Sequence, residues 1–88
     1  GNVQKWISKH IKYPMIAQEN NIQGKVFVQF VIEKDGSVSN VKVTRSVDPS
    51  LDKEAIRVIQ SMPKWTPGKQ RQKPVRVSFT VPINFQLQ

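Results

Sequence analysis

Residues that commonly perform chemistry are sparse in this 88-residue chain. His10 is the only histidine, and the sequence contains no cysteine. One imidazole with few carboxylates gives too few ligands for a transition-metal site, so we expect neither a metal nor a cofactor. Glu33 and Asp35 flank a predicted turn, where exposure to solvent explains them better than acid–base chemistry does. We therefore predict that the protein is not an enzyme.

Glycine and serine patterns agree with this prediction. The four glycines form neither a G-x-G-x-x-G sequence nor a P-loop, so no phosphate-binding loop is expected. No serine lies in the G-x-S-x-G sequence that places a hydrolase nucleophile on a sharp turn. The composition allows a Ser-His-Asp catalytic triad, but no sequence pattern identifies a serine as its nucleophile.

The net charge indicates which kind of partner the chain could bind. It is +8, from 14 Lys and Arg against 6 Asp and Glu, which favours nucleic acid, a membrane surface or an acidic peptide. Most basic residues are spread along the chain and are interpreted as a solvated surface. One cluster is the only candidate patch: Lys64, Lys69, Arg71, Lys73 and Arg76. The strands lack a ladder of exposed aromatic residues among these cations, so nucleic acid is not expected as a partner.

Residues 25–44 predict a β-hairpin around which the other elements are organised. Asp35-Gly36 lies between two alternating apolar runs, and Gly can take the positive φ that a tight primed turn needs. Phe27 and Val31 lie on one face of the first arm. The other face carries four apolar residues: Val26, Val28, Phe30 and Ile32. We expect such a strand to be covered on both faces and central in its sheet.

Three helices are predicted from apolar spacing and from breaks at proline. The first breaks before Pro14, which disfavours the helical conformation in the preceding residue. The second runs over residues 15–20. The third begins at Asp48-Pro49, with Ser50 as the alternative cap, and ends before Pro63. The first helix has its apolar stripe at Val3, Trp6, Ile7 and Ile11.

Residues 75–85 show the cleanest alternation in the chain, with apolar side chains at the odd positions. This pattern predicts that one face of the strand is buried along its whole length and that the other face is solvated. Pro82 cannot donate to a ladder, so we predict an edge strand with the backbone of Pro82 facing outwards. Because backbone groups of alternate residues point to the same side, Arg76, Ser78 and Thr80 also face the open edge if no bulge intervenes. Residues 69–74, just before this strand, are predicted to form a polar, basic loop.

The order helix, hairpin, helix, strand predicts a two-layer α+β fold in one domain over residues 1–88. A right-handed crossover makes the third strand parallel to the second. The third strand then lies antiparallel beside the first, which gives the order 2-1-3 with the first strand central. We expect the helices on one face of this three-stranded antiparallel sheet.

An ordered series of short motifs resembles the TonB C-terminal domain family, in the version common among Bacteroidetes. Each motif is weak alone, but the series from Tyr13 to the C-terminus is specific. In order, the matching segments are Tyr13-Pro14 with Ala17, Gly24 before the first strand, Asp35-Gly36-Ser37-Val38, Val41 and Val43, Leu51-Asp52 with Glu54-Ala55, Met62-Pro63-Lys64-Trp65 with Pro67-Gly68, and Pro82-Ile83-Asn84-Phe85.

The resemblance implies the periplasmic domain of an inner-membrane-anchored energy transducer. Such proteins pass energy from inner-membrane proton-driven motor proteins to outer-membrane TonB-dependent transporters. In that family the domain grips an extended transporter segment, the TonB box, which adds a strand beside the last strand of the sheet. On this expectation the chain is a fragment of a longer protein, whose missing N-terminal region contacts the motor.

Strand addition and the local charge together select the candidate partner-binding residues. The backbones of Arg76, Ser78 and Thr80 would hydrogen-bond to the added strand. Three basic residues precede the strand: Lys69, Arg71 and Lys73. Their positive charge near this edge would favour acidic residues in the partner.

Two other interpretations stay open at this point. Similar domains occur on the periplasmic side of other membrane proteins, so the alternative function is a sensory or scaffolding domain of a multi-span, peptidase-type sensor. An unpaired strand edge could also pair two copies of the chain into a homodimer.

Overall fold

The computed structural model describes residues 3–64, 69–70, 73–74 and 76–87. The helices are α1 (Val3–His10), α2 (Met15–Glu19) and α3 (Pro49–Gln60). The strands are β1 (Gly24–Ile32), β2 (Val38–Arg45), β3 (Lys69–Gln70), β4 (Lys73–Pro74) and β5 (Val77–Phe85). Arg71, a predicted binding residue, and Val75, the start of the predicted last strand, lie outside the described residues.

The main sheet has three strands in the order β2-β1-β5, and β1 pairs antiparallel with both neighbours. This confirms the predicted 2-1-3 order, because β5 is the strand that follows the crossover through α3. A right-handed crossover accounts for the arrangement. The strand with the most apolar sequence is therefore central, as expected.

Helices and sheet form two layers with the core between them, which confirms the predicted α+β architecture. The buried apolar residues come from all three helices and from one face of β1 and β5: Ile7, Ala17, Val26, Val28, Phe30, Ile32, Leu51, Ala55, Val58, Ile59, Val81, Ile83 and Phe85. Phe27 and Val31, on the opposite face of β1, are only half-buried. The prediction that β1 is covered on both faces was wrong, because the helices pack on a single face.

The start of α3 forms as its sequence predicts. Asp48 has extended backbone and is the N-cap, and its side chain accepts a 3.0 Å hydrogen bond from the Ser50 N–H. Pro49 occupies the first helical position, where no N–H partner is needed. The cap fixes where the crossover helix begins and therefore where its core-facing stripe meets the sheet.

The β1–β2 connection differs in detail from the predicted tight primed turn. Gly36 has φ of +89°, but Asp35 is not among the described residues with positive φ. A primed turn with Asp35 and Gly36 at its centre would require a positive φ at Asp35. The N–H of Gly36 donates to the Glu33 carbonyl at 2.9 Å, and the N–H of Glu33 donates to the Ser37 carbonyl at 2.8 Å. The connection therefore spans residues 33–37, with glycine in the bulge position that follows an ordinary turn.

Residues 69–74 also differ from the prediction of a loop. Lys69 pairs with Pro74 and Gln70 with Lys73 in a short antiparallel ladder, β3 with β4. Strands of two residues carry no readable alternation, so sequence periodicity gave no sign of them. They form a small sheet of their own, separate from the main one.

Within the part of the chain that the structure describes, no helix is long and apolar enough to cross a bilayer.

Candidate functional site

The candidate site is the outer edge of β5, residues 76–84, which we call the rim. β5 pairs with β1 on its inner side without a register break, from Gly24 opposite Phe85 to Ile32 opposite Val77. Among the described residues, no strand pairs with the outer side of β5. An unbroken register means that inward- and outward-facing backbone groups alternate regularly along the whole strand.

Two hydrogen bonds fix which residues of β5 face outwards. Phe27 lies opposite Pro82, and the Phe27 carbonyl accepts from the Thr44 hydroxyl of β2 at 3.2 Å, so it is turned away from β5. Phe27 and Pro82 are therefore a non-hydrogen-bonded pair, and the Pro82 carbonyl points outwards. Gln4 of α1 reaches this carbonyl from outside and donates to it at 3.0 Å.

The same alternation assigns the other rim residues. Thr80 and Ser78 lie two and four positions before Pro82 in the unbroken ladder, so their N–H and C=O groups also turn outwards. Arg76 directly precedes the first paired residue, Val77, and continues this alternation if the strand geometry extends to it. Ser78 and Thr80 therefore face outwards as predicted, and the contact of all three residues with a partner stays a prediction.

The side chains of Arg76, Ser78 and Thr80 lie on the face of the sheet that no helix of the described chain covers. The Ser78 hydroxyl accepts from the Gln29 side chain at 3.2 Å. Arg76 holds Glu33 with two hydrogen bonds, Nε to Oε1 at 2.7 Å and Nη2 to Oε2 at 3.2 Å. This pairing lowers the pKa of the Glu33 carboxyl and raises that of the Arg76 guanidinium. The arginine at the rim is therefore partly neutralised.

The predicted basic cluster is partly paired with acids. Lys64 lies 3.8 Å from an Asp35 carboxylate oxygen, and Arg76 is paired with Glu33. Lys69 and Lys73 lie in the short β3–β4 ladder, which the chain forms just before β5. Arg71 is outside the described residues.

On its helix side, the rim changes character along its length. Val81, Ile83 and Phe85 are buried, whereas Phe79 is 38% exposed although its ring stacks on Phe30 at 5.9 Å. The expectation of a buried face along the whole strand was therefore wrong for its first half. The exposed part of the Phe79 ring therefore places an apolar surface beside the outward-facing backbone.

The second half of the rim is flanked by α1, which sequence analysis did not place. A groove of about 570 Å³ separates the helix from the end of β5. Its walls are Gln4, Ile7, Ser8, Ile11 and Tyr13 on one side and residues 83–86 on the other. The apolar stripe that contains Ile7 was a signal that α1 packs on the core, but nothing in it indicated which strand the helix would flank.

His10 and the acidic residues show no arrangement suited to metal chemistry. The His10 ring stacks on Trp6 at 4.1 Å, and its Nδ1 lies 2.9 Å from the Trp6 carbonyl oxygen. Across the described ranges, no group of three or more His, Cys, Asp and Glu residues is placed to hold a metal ion.

Comparison with known proteins gives consistent matches. The family model for the Gram-negative bacterial TonB protein C-terminal matches residues 9–87. The Protein TonB of Haemophilus influenzae is 40% identical over 83 residues, covering 90% of this chain and 31% of that protein. The Protein TonB of Helicobacter pylori is 34% identical over 86 residues, covering 97% of this chain and 29% of that protein.

Solved structures agree with these sequence matches. One solution structure of the Helicobacter pylori TonB C-terminal domain superposes with a TM-score of 0.77 at 30% identity, covering 98% of this chain and 78% of that one. A second gives 0.69 at 31% identity, covering 96% and 88%. The chain spans less than a third of the length of the curated relatives it matches. By sequence and by fold, this chain belongs to the family of Gram-negative bacterial TonB protein C-terminal domains.

Proposed function

We propose that this domain binds an extended segment of an outer-membrane transporter, the TonB box, by strand addition to the rim. In this proposal the domain lies in the periplasm and belongs to a longer protein anchored in the inner membrane. Segments that precede the domain would contact the proton-driven motor proteins. The domain would pass force from them to the transporter, which is a binding role and not a catalytic one.

The observation that carries the proposal is the outward direction of the Ser78 and Thr80 backbones. Each residue presents one donor and one acceptor on the side of β5 that no described strand occupies. An extended peptide laid along this edge would pair with these groups, and main-chain hydrogen bonds supply affinity in this recognition mode. Phe79 would contact alternate side chains of the added strand.

Charge near the rim would add selectivity. Lys69, Arg71 and Lys73 precede β5 in the sequence, and together they would favour acidic residues next to the docked segment. Attraction of this kind acts mainly on the rate of association and weakens with salt. The backbone ladder, in contrast, would set the register.

The sheet is suited to carrying a load along its strands. Antiparallel ladder bonds run perpendicular to the strands, so a force applied along a docked strand loads all of them together. β5 passes the load to β1 through the ladder of residues 77–85 with residues 24–32. Because β1 is central and its core face is buried, the force reaches the body of the domain.

Thr80→Pro tests the proposal by removing one outward N–H from the rim. The ladder to β1 does not use that N–H, so the variant should keep its fold, as the native chain does with Pro82. We expect Thr80→Pro to weaken binding of a peptide from the N-terminal extended segment of a transporter by roughly tenfold. Thr80→Val, which keeps the N–H, is the matched control and should bind normally.

Titration of the peptide into ¹⁵N-labelled protein gives the readout. The wild type and Thr80→Val should show shifts at residues 76–81, and the signals of buried β1 residues should report an intact fold in every variant. Wild-type protein without shifts at residues 76–81 would contradict strand docking. Sedimentation of the same samples separates this function from self-pairing, because a homodimer through the rim would dissociate when peptide binds.

A further inference from the structure

The backbone of Pro82 offers an incoming strand no donor, and its acceptor is already engaged. Proline has no N–H, and the outward carbonyl of Pro82 already accepts a 3.0 Å hydrogen bond from Nε2 of Gln4. We propose that Gln4 and Pro82 together form a stop that ends strand docking at Thr80. This inference rests on the proposed function and adds to it the length of partner backbone that the rim accepts.

Gln4 occupies the place that a docked strand would need. Paired strands lie about 4.8 Å apart, which brings the donor nitrogen of one strand to about 2.9 Å from the acceptor oxygen of the other. The Gln4 amide nitrogen already sits at this distance from the Pro82 carbonyl oxygen. An N–H of an added strand would therefore compete with Gln4 for that oxygen.

The rest of α1 keeps Gln4 in place. Ile7, one turn further along the helix, is buried in the core, and Trp6 packs against the core from the same helix. Gln4, Ile7 and Ser8 all line the groove that separates α1 from the end of β5. The helix therefore holds the Gln4 amide at the Pro82 carbonyl, and an added strand that continued beyond Pro82 would meet this side chain.

The consequence is a rim of two unequal parts. Residues 76–80 are open to pairing, whereas Asn84, the next outward-facing residue after Pro82, lies in the wall of the groove beside α1. The rim should therefore select a partner with a short extended segment of about five residues whose chain then turns away from the sheet. A partner that needs a longer ladder would have to displace the Gln4 side chain.

The stop is tested by variants that free the carbonyl of residue 82 from Gln4 and restore an N–H at that residue. Gln4→Leu keeps the side-chain volume and removes the donor, and Pro82→Val restores an N–H. The probe is the transporter peptide used above, lengthened by five residues at each end. We expect wild-type protein to show peptide-induced exchange protection at the Ser78 and Thr80 amides, none at Asn84, and an unshifted Gln4 side-chain NH₂ signal.

The double variant Gln4→Leu/Pro82→Val should extend protection to residue 82 and Asn84 and bind up to about tenfold more tightly. Pro82→Val alone should not, because Gln4 still holds the carbonyl. Gln60→Leu, an exposed change on α3, is the matched control and should behave as wild type.

The possible failures have different signatures. Protection of Asn84 or a shifted Gln4 amide in wild-type protein would overturn the stop while leaving strand docking intact. A double variant that protects only Ser78 and Thr80 would also overturn it. Absence of protection at Ser78 and Thr80 in every protein would overturn strand docking and the stop together.

Discussion

Glu54 of α3 accepts a 2.7 Å hydrogen bond from the backbone N–H of Lys12, which lies 42 residues earlier in the chain. Arg57 holds the same carboxylate through two 2.7 Å hydrogen bonds and also donates to the His10 carbonyl at 3.3 Å. Glu54 is only 9% exposed. The pair therefore ties the connection between α1 and α2 to the crossover helix, and so helps to hold α1 beside the rim.

Glu54→Ala should lower the free energy of unfolding by about 2 kcal/mol, because it leaves the Lys12 N–H without its acceptor and the Arg57 guanidinium without its carboxylate partner. Urea unfolding measures the loss. Glu19→Ala, an exposed change on α2, should stay within about 0.5 kcal/mol of wild type. Equal stabilities of the two variants would show that the Glu54 contacts contribute nothing to the fold.

Acid should remove the stabilisation that the Glu54 carboxylate provides. Burial alone would raise the pKa of the Glu54 carboxyl, but the hydrogen bonds from Arg57 and the Lys12 N–H outweigh burial and lower it. A carboxyl with a lowered folded-state pKa stabilises the protein fully above its unfolded pKa of about 4.3 and loses the effect as pH falls through the folded value. Stability should therefore decline below about pH 4.3.

The variant Glu54→Gln measures how much of the acid-induced loss of stability comes from Glu54. Glu54→Gln should be less stable than wild type at neutral pH and should approach it at pH 3, in a series of melting temperatures. Glu33 and Asp35 also have lowered pKa values, through hydrogen bonds from Arg76 and Ser37 respectively, so part of the acid slope will remain. If Glu54→Gln keeps the full wild-type slope, Glu54 is not the group that titrates.

The sequence was sufficient for the features that rest on local chemistry. The missing N–H of Pro82 identified the edge strand and its outward side, and the Asp48-Pro49 pair placed the start of α3. The right-handed crossover rule then ordered the strands. Each of these arguments uses one residue type with one strong backbone consequence, and such signals survive tertiary packing.

Features that rest on contacts distant in sequence could not be read in this way. Gln4 and Pro82 are 78 residues apart, and an exposed glutamine carries no pattern that selects its acceptor. Phe79 alternates as well as Val81 does, yet only Val81 is buried, because coverage by the helices differs along β5. The register of β1 against β2 shifts between Gln29 and Val31, opposite Asn40, whose φ is +51°. This irregularity was also missed, since asparagine permits a positive φ without requiring it.

Gly24→Ala should destabilise the fold at the start of β1. Gly24 has φ of +151°, and a Cβ there would lie 3.1 Å from a Val47 methyl carbon. We expect a loss of about 2 kcal/mol in the free energy of unfolding, from backbone strain together with the close contact. Adding Val47→Ala should recover the part of the lost free energy that comes from the close contact and leave the part that comes from backbone strain. A double-mutant cycle by urea unfolding separates the two, and full recovery would show that the backbone conformation costs alanine nothing.

Glu33→Gln should speed the binding of acidic peptides to the rim. Glu33 neutralises Arg76 at the start of the rim through a bidentate pair, and it becomes uncharged in the variant. The freed positive charge should raise the association rate about threefold at low salt, and the gain should vanish above about 0.5 M salt because the Debye length then falls to a few ångströms. Stopped-flow binding at several salt concentrations measures it. Glu19→Gln changes the net charge equally without touching the Arg76 pair, so an equal gain in that control would assign the effect to overall charge and not to the rim.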